Sequence, residues 1–316
     1  MPLYLTESDV EQLLTMDIAI AALENAFRLQ AQGLAFNHPR YRLPLGGGTF
    51  MFMAATASGL GVMGTKTYGV TKAGVRFYVN LFSTDTSELL AVIEASRLGQ
   101  VRTGAASGVA TRLMARPDAS VVGTIGAGYQ ARTQLEAICR VRKITGARVY
   151  SRTAEARAQF AQTIGPELGV PIVAVTSAEE CVRGSDIVVT ITSSATPVFS
   201  GDWLSPGTHI NAAGSNHISR RELDVETIKR ASVIVADDID TARIECGELI
   251  HAIERGAASW HQVRNLSSIV AGEMPGRNSP LDITLFESQG LALEDIAVAA
   301  RLYDLARPRG IGTAIE

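Results

Sequence analysis

Cysteine is scarce in this chain, and the cysteines that are present form no framework. The 316 residues contain three, far apart and odd in number: Cys139, Cys181 and Cys246. This argues against a disulfide-stabilised secreted fold and favours a reducing compartment. No cysteine lies in a CxxC motif and the five histidines show no metal-ligand spacing, so we expect no metal site.

Long runs of like charge and long apolar segments are also missing. Charged residues make up 19% of the sequence and the formal net charge is −3, which argues against a nucleic-acid partner. No apolar run reaches the roughly 18 residues that a membrane helix needs, and the N-terminus carries no basic segment. These absences predict a cytoplasmic protein with neither a nucleic-acid nor a membrane partner.

The order of apolar patterns predicts two domains. Helical spacing over residues 6–27 and 97–114 flanks short β-rich runs between Tyr41 and Ile93, which are typical of an antiparallel sheet. From residue 120, nearly continuous apolar strands alternate with helices, as in a doubly wound parallel sheet. We therefore predict an α/β protein with a Rossmann domain over residues 116–290. An α+β domain is expected over 1–115, completed by the amphipathic C-terminal segment 291–316.

The most informative motif is Gly126-x-Gly128-x-x-Ala131, between an apolar strand and a helical pattern. Such a turn aims backbone N–H groups and the positive end of a helix dipole at a pyrophosphate. We predict a dinucleotide site that includes Gly126, Ala127, Gly128, Tyr129 and Gln130.

The end of the second predicted strand indicates which dinucleotide binds. An acidic residue commonly binds the ribose of NAD at this place, but here the residues are Ser151, Arg152 and Thr153. A guanidinium and two hydroxyls suit a 2′-phosphate, so NADP is preferred and NAD is possible. The alternative is that Arg152 is a solvated charge and a hydroxyl caps the next helix.

Polar residues also end the fourth strand of this domain. Thr192, Ser193 and Ser194 fall at the carboxyl edge of the predicted sheet, where open α/β sheets bind ligands. We expect them to contact the cofactor, although strand termination explains the same residue types.

Several motifs together, in one order, resemble the ornithine cyclodeaminase and mu-crystallin family. They are Lys66 after Gly64-Thr65, the run Val101–Thr111, Thr192-Ser-Ser194 with Pro197, Trp203–Gly207, Gly214 before Glu222-Leu-Asp224, Cys246-Gly-Glu-Leu249, and Leu285–Leu291 with Glu294-Asp295. The resemblance implies a homodimer with a substrate-binding and dimerisation domain before the Rossmann domain. It implies small amino or imino acid substrates, and further cofactor contacts from Thr103, Gly214, Ser215 and Leu291.

The resemblance also implies three cationic residues around a substrate carboxylate. By position these are Arg42, Lys66 and Arg102, with Arg40 as a competitor for the place of Arg42. The chemistry agrees, because guanidiniums bind carboxylates in bidentate fashion and a buried lysine can transfer a proton.

One position departs from the cyclodeaminase pattern. In cyclodeaminases and the alanine dehydrogenase branch an aspartate stands two residues after the glycine that matches Gly214, whereas this chain has Asn216. An amide cannot exchange a proton at neutral pH. The resemblance implies that mu-crystallin-like ketimine reductases also lack this acid and still transfer hydride, so we predict a reductase of small 2-imino acids, working reversibly as an amino-acid dehydrogenase. His217 is either a proton-transfer group or a structural loop residue.

Two other functions stay open from the sequence. The first is a cyclodeaminase that recycles tightly held NAD and releases ammonia without net redox change. The second is a binding protein that keeps the fold without turnover.

Overall fold

The computed structural model describes residues 1–315, which divide into two compact units. The first unit comprises residues 1–102 and those from Gly290 onward, and the second comprises Thr103–Gln289. The strands are β1 (Leu3–Leu5), β2 (Ala35–Leu45), β3 (Gly48–Ala57), β4 (Val62–Thr71), β5 (Gly74–Ser83), β6 (Leu89–Glu94), β7 (Val121–Ile125), β8 (Gly146–Tyr150), β9 (Ile172–Ala174), β10 (Ile187–Thr190), β11 (His209–Ala212), β12 (Ala231–Ala236), β13 (Val263–Asn265), β14 (Ile283–Glu287) and β15 (Thr313–Ala314).

The α-helices connect these strands. They are α1 (Glu7–Leu13), α2 (Met16–Ala31), α3 (Ser96–Met114), α4 (Tyr129–Val141), α5 (Ala154–Leu168), α6 (Ala178–Val182), α7 (Val225–Arg230), α8 (Ile239–Glu245), α9 (Gly247–Glu254), α10 (Leu266–Val270) and α11 (Ala292–Ala306). No helix within residues 1–315 is long and apolar enough to cross a membrane.

The first unit is a sheet with two helices packed on one face. Its strand order is β15-β1-β6-β5-β4-β3-β2, and the predicted antiparallel pairing holds from β2 to β6. Helices α2 and α11 pack together, and α11 covers β3 and β4. The C-terminal helix therefore belongs to the same compact unit as the N-terminal strands.

The opposite face of this sheet carries exposed apolar side chains. Strand alternation places Tyr41 opposite Phe52 and Leu43 opposite Phe50 on that face, and Phe36 lies on it at the other end of β2. Leu43 is 56% exposed and Phe36 is 63% exposed. We call these five residues the apolar outer face; several exposed apolar side chains on one sheet face are typical of an interaction surface.

The second unit confirms the predicted doubly wound parallel sheet. Its order is β13-β12-β14-β11-β10-β7-β8-β9, with parallel pairing throughout. From β9 to β11 this is the 3-2-1-4-5 order of a dinucleotide-binding sheet, with β7 as its first strand, and β14, the eighth strand of the unit, takes the sixth place. Topology therefore places the end of β7 where a pyrophosphate binds.

The structure adds features that the sequence patterns did not indicate. Strand β13 and strand β14, which follows a loop rather than a helix, extend the sheet beyond the regular alternation of strands and helices that the sequence predicts. The sequence predicts the domain limit at the linker after α3, but the first unit ends inside that helix. Because the helix is continuous there, no change of composition marks the limit in the sequence. Asp237, directly after β12, is fully buried and accepts the Gln289 backbone N–H at 2.7 Å.

Candidate functional site

A cluster of buried cations forms in the first unit around one carboxylate. Lys66 lies in the middle of β4 and Arg102 lies on α3, and both reach Asp295 at the start of α11. The Lys66 Nζ donates to Asp295 Oδ1 at 2.8 Å, and the Arg102 Nε donates to the same oxygen at 3.1 Å. Arg102 Nη1 also donates to Glu294 Oε2 at 2.6 Å. Two predicted site residues are thus held together by acids that sequence reasoning had not selected.

Lys66 is buried because of its place in the sheet. Its cross-strand partners are Met53 and Val79, both buried, so the side chain projects from an apolar row. Its ammonium lies 5.2 Å from the ring centroid of Phe77 and 5.9 Å from that of Tyr68. These half-buried rings pack on each other with centroids 4.8 Å apart, which gives the cluster an aromatic wall.

The structure brings Arg40 to this cluster. Arg40 is buried, donates from Nη2 to the Gly290 carbonyl at 3.1 Å, and its charge acts on Lys66. Arg42 is half-buried, opposite Met51. The pairing of β2 with β3 shifts register between His38 and Tyr41, and such a bulge alters which side chains share a face. That shift cannot be read from spacing, and it favours the competing assignment.

Burial and charge set the protonation of the cluster. Burial lowers the pKa of Lys66 to about 8, with Arg102 and Arg40 acting in the same direction and Asp295 opposing them. Burial also acts against the charged form of Arg102, but the carboxylates of Asp295 and Glu294 outweigh it and raise its pKa. Three cations against two carboxylates leave one positive charge in excess, which suits a single carboxylate ligand.

The glycine turn of the second unit has the form that a dinucleotide requires. Gly126 follows β7 with φ +117°, and a Cβ there would lie 2.4 Å from the Ile191 carbonyl oxygen. Gly128 is the N-cap of α4 without a side-chain cap, and no atom lies within 4 Å of the place of its missing Cβ. Ala131 is fully buried where the helix packs on the sheet. The turn therefore leaves space at a helix N-terminus for a phosphate.

The other residues of this turn differ in exposure. Ala127 and Gln130 are half-buried, whereas Tyr129 is 61% exposed. The predicted residue Thr103 is half-buried and accepts a hydrogen bond from Gln134 Nε2 at its carbonyl. Leu291 lies in the first unit, fully buried at the N-cap of α11.

At the end of β8 the predicted phosphate-binding residues are accessible. Arg152 and Thr153 are exposed, and Ser151 Oγ donates to the Thr153 carbonyl at 2.8 Å. Thr153 is the N-cap of α5 but makes no side-chain cap, so capping does not explain its hydroxyl. Arg157, which sequence reasoning missed, donates to the Ser151 carbonyl at 2.7 Å and lies near the Tyr150 ring.

The predicted loop residues after β10 and β11 lie at the carboxyl edge of the sheet. The Ser194 N–H donates to Thr192 Oγ1 at 3.1 Å, and Ser193 beside them is exposed. Ser215 is buried and donates to the Arg220 carbonyl at 3.2 Å. These contacts order the two loops that flank the predicted nicotinamide position.

The loop position that departs from the cyclodeaminase pattern is exposed. Asn216 and His217 are both exposed, and His217 Nδ1 lies 2.8 Å from Ser219 Oγ. The local bond favours the structural interpretation of His217. Its role in proton transfer stays a hypothesis.

Acidic groups that the sequence did not single out are buried in the second unit. Among the described residues, Cys246, Glu248 and Glu287 bring ligand-type atoms within 4.8 Å of one another. Burial raises the pKa of Glu248 to about 7 and that of Glu287 well above its ordinary value. Burial therefore favours the protonated, uncharged forms of these two carboxyls. The expected absence of a metal site stays a prediction.

Comparison with known proteins shows a matching family and similar enzymes. The family model described as the ornithine cyclodeaminase/mu-crystallin family matches residues 2–309. A Δ1-pyrroline-2-carboxylate reductase of Bacillus cereus is 38% identical over 85% of each chain.

Two solved structures are close to this fold. The Δ1-pyrroline-2-carboxylate reductase of Thermococcus litoralis, in complex with NADH and L-proline, is 35% identical with a TM-score of 0.95, covering 99% of this chain and 100% of that one. An archaeal alanine dehydrogenase dimer with bound NAD is 36% identical with a TM-score of 0.94, covering 100% and 99%.

Proposed function

Because the chain belongs to the ornithine cyclodeaminase/mu-crystallin family, we propose that it is a nicotinamide-dependent reductase of small 2-imino acids. The observation that carries the proposal is the buried cluster of Arg40, Lys66 and Arg102 on Asp295. It offers a carboxylate site beside an amine that can exchange protons. The names of the relatives, reductases and dehydrogenases of imino and amino acids, support the same chemistry.

In this proposal the chain's residues divide the work between binding and proton transfer. Arg40 and Arg102 bind the substrate carboxylate and orient the imine. Lys66 donates the proton that the imine nitrogen gains as the C=N bond becomes a C–N bond, and burial excludes water from that step. A bound reduced dinucleotide supplies the hydride that the substrate Cα receives. In the reverse direction, neutral Lys66 takes a proton from the amine.

The cofactor is proposed to be NADP, with NAD also accepted. Gly126, Gly128 and the start of α4 would hold the pyrophosphate, and Arg152 with Ser151 and Thr153 would hold the 2′-phosphate. The two solved relatives hold NADH and NAD. The proposed preference for NADP rests on the exposed guanidinium of Arg152 at the end of β8.

The active form is proposed to be a homodimer joined through the apolar outer face. Its five side chains are exposed on one sheet in the first unit, and burying such a patch against a second copy removes apolar area from water. The alanine dehydrogenase relative is itself a dimer.

The direct test of the function is a spectrophotometric screen of imino acids with NADPH and NADH. We expect one reduced cofactor to be consumed per pyrroline-2-carboxylate, or per pyruvate with an amine. Lys66→Ala should lose at least ~100-fold in kcat, the usual scale for a positioned proton donor. The exposed Lys72→Ala variant is the control. Ammonia release from ornithine without net cofactor consumption, or retained turnover in Lys66→Ala, would contradict the assignment.

The cofactor preference is tested with Arg152→Ala. Losing a charge-assisted contact to the 2′-phosphate should weaken NADPH binding by roughly ten- to a hundredfold and leave NADH binding unchanged. Fluorescence titration with both cofactors measures this. Arg183→Ala, at an exposed arginine paired with Glu179, controls for loss of surface charge. An NADPH affinity that does not move relative to NADH would remove Arg152 from its role.

The dimer surface is tested with Leu43→Asp. A carboxylate in the apolar outer face should shift the measured mass in light scattering from two chains towards one, because its charge would be desolvated in the interface. Leu281→Asp is the matched control, since Leu281 is 71% exposed and lies in the second unit. A Leu43→Asp protein that keeps the mass of the unaltered protein would exclude this face as the interface.

A further inference from the structure

Glu222 is a buried acid that occupies an unusual position between two loops of the second unit. It is fully buried, and it follows the loop after β11. Its carboxylate accepts the Thr192 N–H at 2.5 Å and the Gly214 N–H at 2.9 Å. Thr192 lies in the loop after β10, so one side chain bridges the ends of two neighbouring parallel strands.

The backbone around this bridge is closely packed. The Glu222 carbonyl also accepts the Val198 N–H at 2.8 Å, which adds a second hydrogen bond to the loop after β10. A Cβ at Gly214 would lie 2.4 Å from both the N and the O of Thr192, so no side chain fits between the loops. The separation of the two loops is therefore set by Glu222.

A second acid fixes Glu222 itself. The Glu222 N–H donates to Glu248 Oε1 at 2.7 Å. Burial raises the pKa of Glu248 and of Glu287, whose charges would otherwise oppose that of Glu222. Burial raises the pKa of Glu222 as well, and its hydrogen bonds from Thr192 and Gly214 oppose that shift.

We propose that Glu222 is a positioning residue for the nicotinamide half of the cofactor, holding the loops after β10 and β11 at the separation that this half needs. The inference rests on the proposed function. Strands β10 and β11 lie on the opposite side of β7 from β8, and in this sheet order the two sides bind the two halves of a dinucleotide. Glu222 touches neither the substrate nor the glycine turn in this account; it acts through the loops.

The test compares two ligands in Glu222→Gln. The amide has one acceptor oxygen, so one of the two buried N–H groups loses its partner. NADH contains both halves of the dinucleotide, whereas ADP contains the adenosine and both phosphates only. We expect the Kd of NADH to rise about tenfold and the Kd of ADP to stay within twofold, because a tenfold change corresponds to loss of one well-formed interaction.

The controls separate positioning from stability and from the proposed function. Glu273→Gln alters an exposed glutamate of the same unit and should bind both ligands as the unaltered protein does. Glu222→Asp keeps the charge on a shorter side chain. It replaces the glutamine variant if thermal unfolding shows that Glu222→Gln is not folded at 25 °C. We expect Glu222→Asp to show the same selective loss of NADH affinity.

Equal losses for NADH and ADP, or no loss in a folded variant, would overturn the proposal. Failure of both variants to fold would also overturn it, since Glu222 would then be a stability element alone. An unaltered protein that binds neither NADH nor NADPH would instead refute the function on which the inference rests.

Discussion

The chemistry of the first unit depends on Asp295 bridging Lys66 and Arg102. A lysine in an apolar row of a sheet is costly as an ammonium, and an unpaired buried charge is generally neutralised by a shift in pKa. Asp295 offsets that cost, and the short ion pair holds the amine at one place. Because Arg102 shares the same carboxylate oxygen, the guanidinium and the amine keep a fixed relative position. In the proposed reaction the guanidinium binds the substrate carboxylate and the amine serves the imine nitrogen.

The second unit meets a different constraint, the close approach of backbone to a phosphate. At Gly126 the positive φ and the neighbouring Ile191 carbonyl exclude a side chain, and at Gly128 the absence of one leaves open space. Further along the same sheet edge, Glu222 satisfies backbone donors of two loops that would otherwise be buried without partners. Both units thus use buried charge or backbone polarity to fix geometry, in keeping with an enzyme that aligns two ligands.

The sequence predicts those parts of the two sites whose residues are close together in the chain. The strand, glycine turn and helix are contiguous, so Gly126 to Ala131 could be placed correctly, with α4 over its observed range. Lys66 and Arg102 were selected from motif order. Asp295 was not predicted as a site residue, because it is 229 positions away from Lys66 in the sequence. An acid at the start of a helix is also usually explained by solvation or by its interaction with the helix N-terminus.

Two further features have structural causes that a sequence conceals. The bulge in β2 brings Arg40 to the buried cluster, and a register shift leaves no mark on residue spacing; the role of Arg42 stays a prediction. Glu222 belonged to a motif that carried the family resemblance, but its role depends on how two loops meet at the carboxyl edge of the sheet. Parallel sheets bring together residues from separate crossovers, so such contacts emerge only with the fold.

The central claim is that Asp295 keeps Lys66 protonated as a donor. With the pKa of Lys66 at about 8, amine formation should decline as the pH rises through that value, and the reverse reaction should increase. The decisive measurement is the pH profile of kcat for Asp295→Asn beside Asp304→Asn, an exposed control on the same helix. Removing the carboxylate that favours the ammonium should move the alkaline limb of amine formation to lower pH, with the control unmoved. An alkaline limb that stays in place in Asp295→Asn would contradict the account.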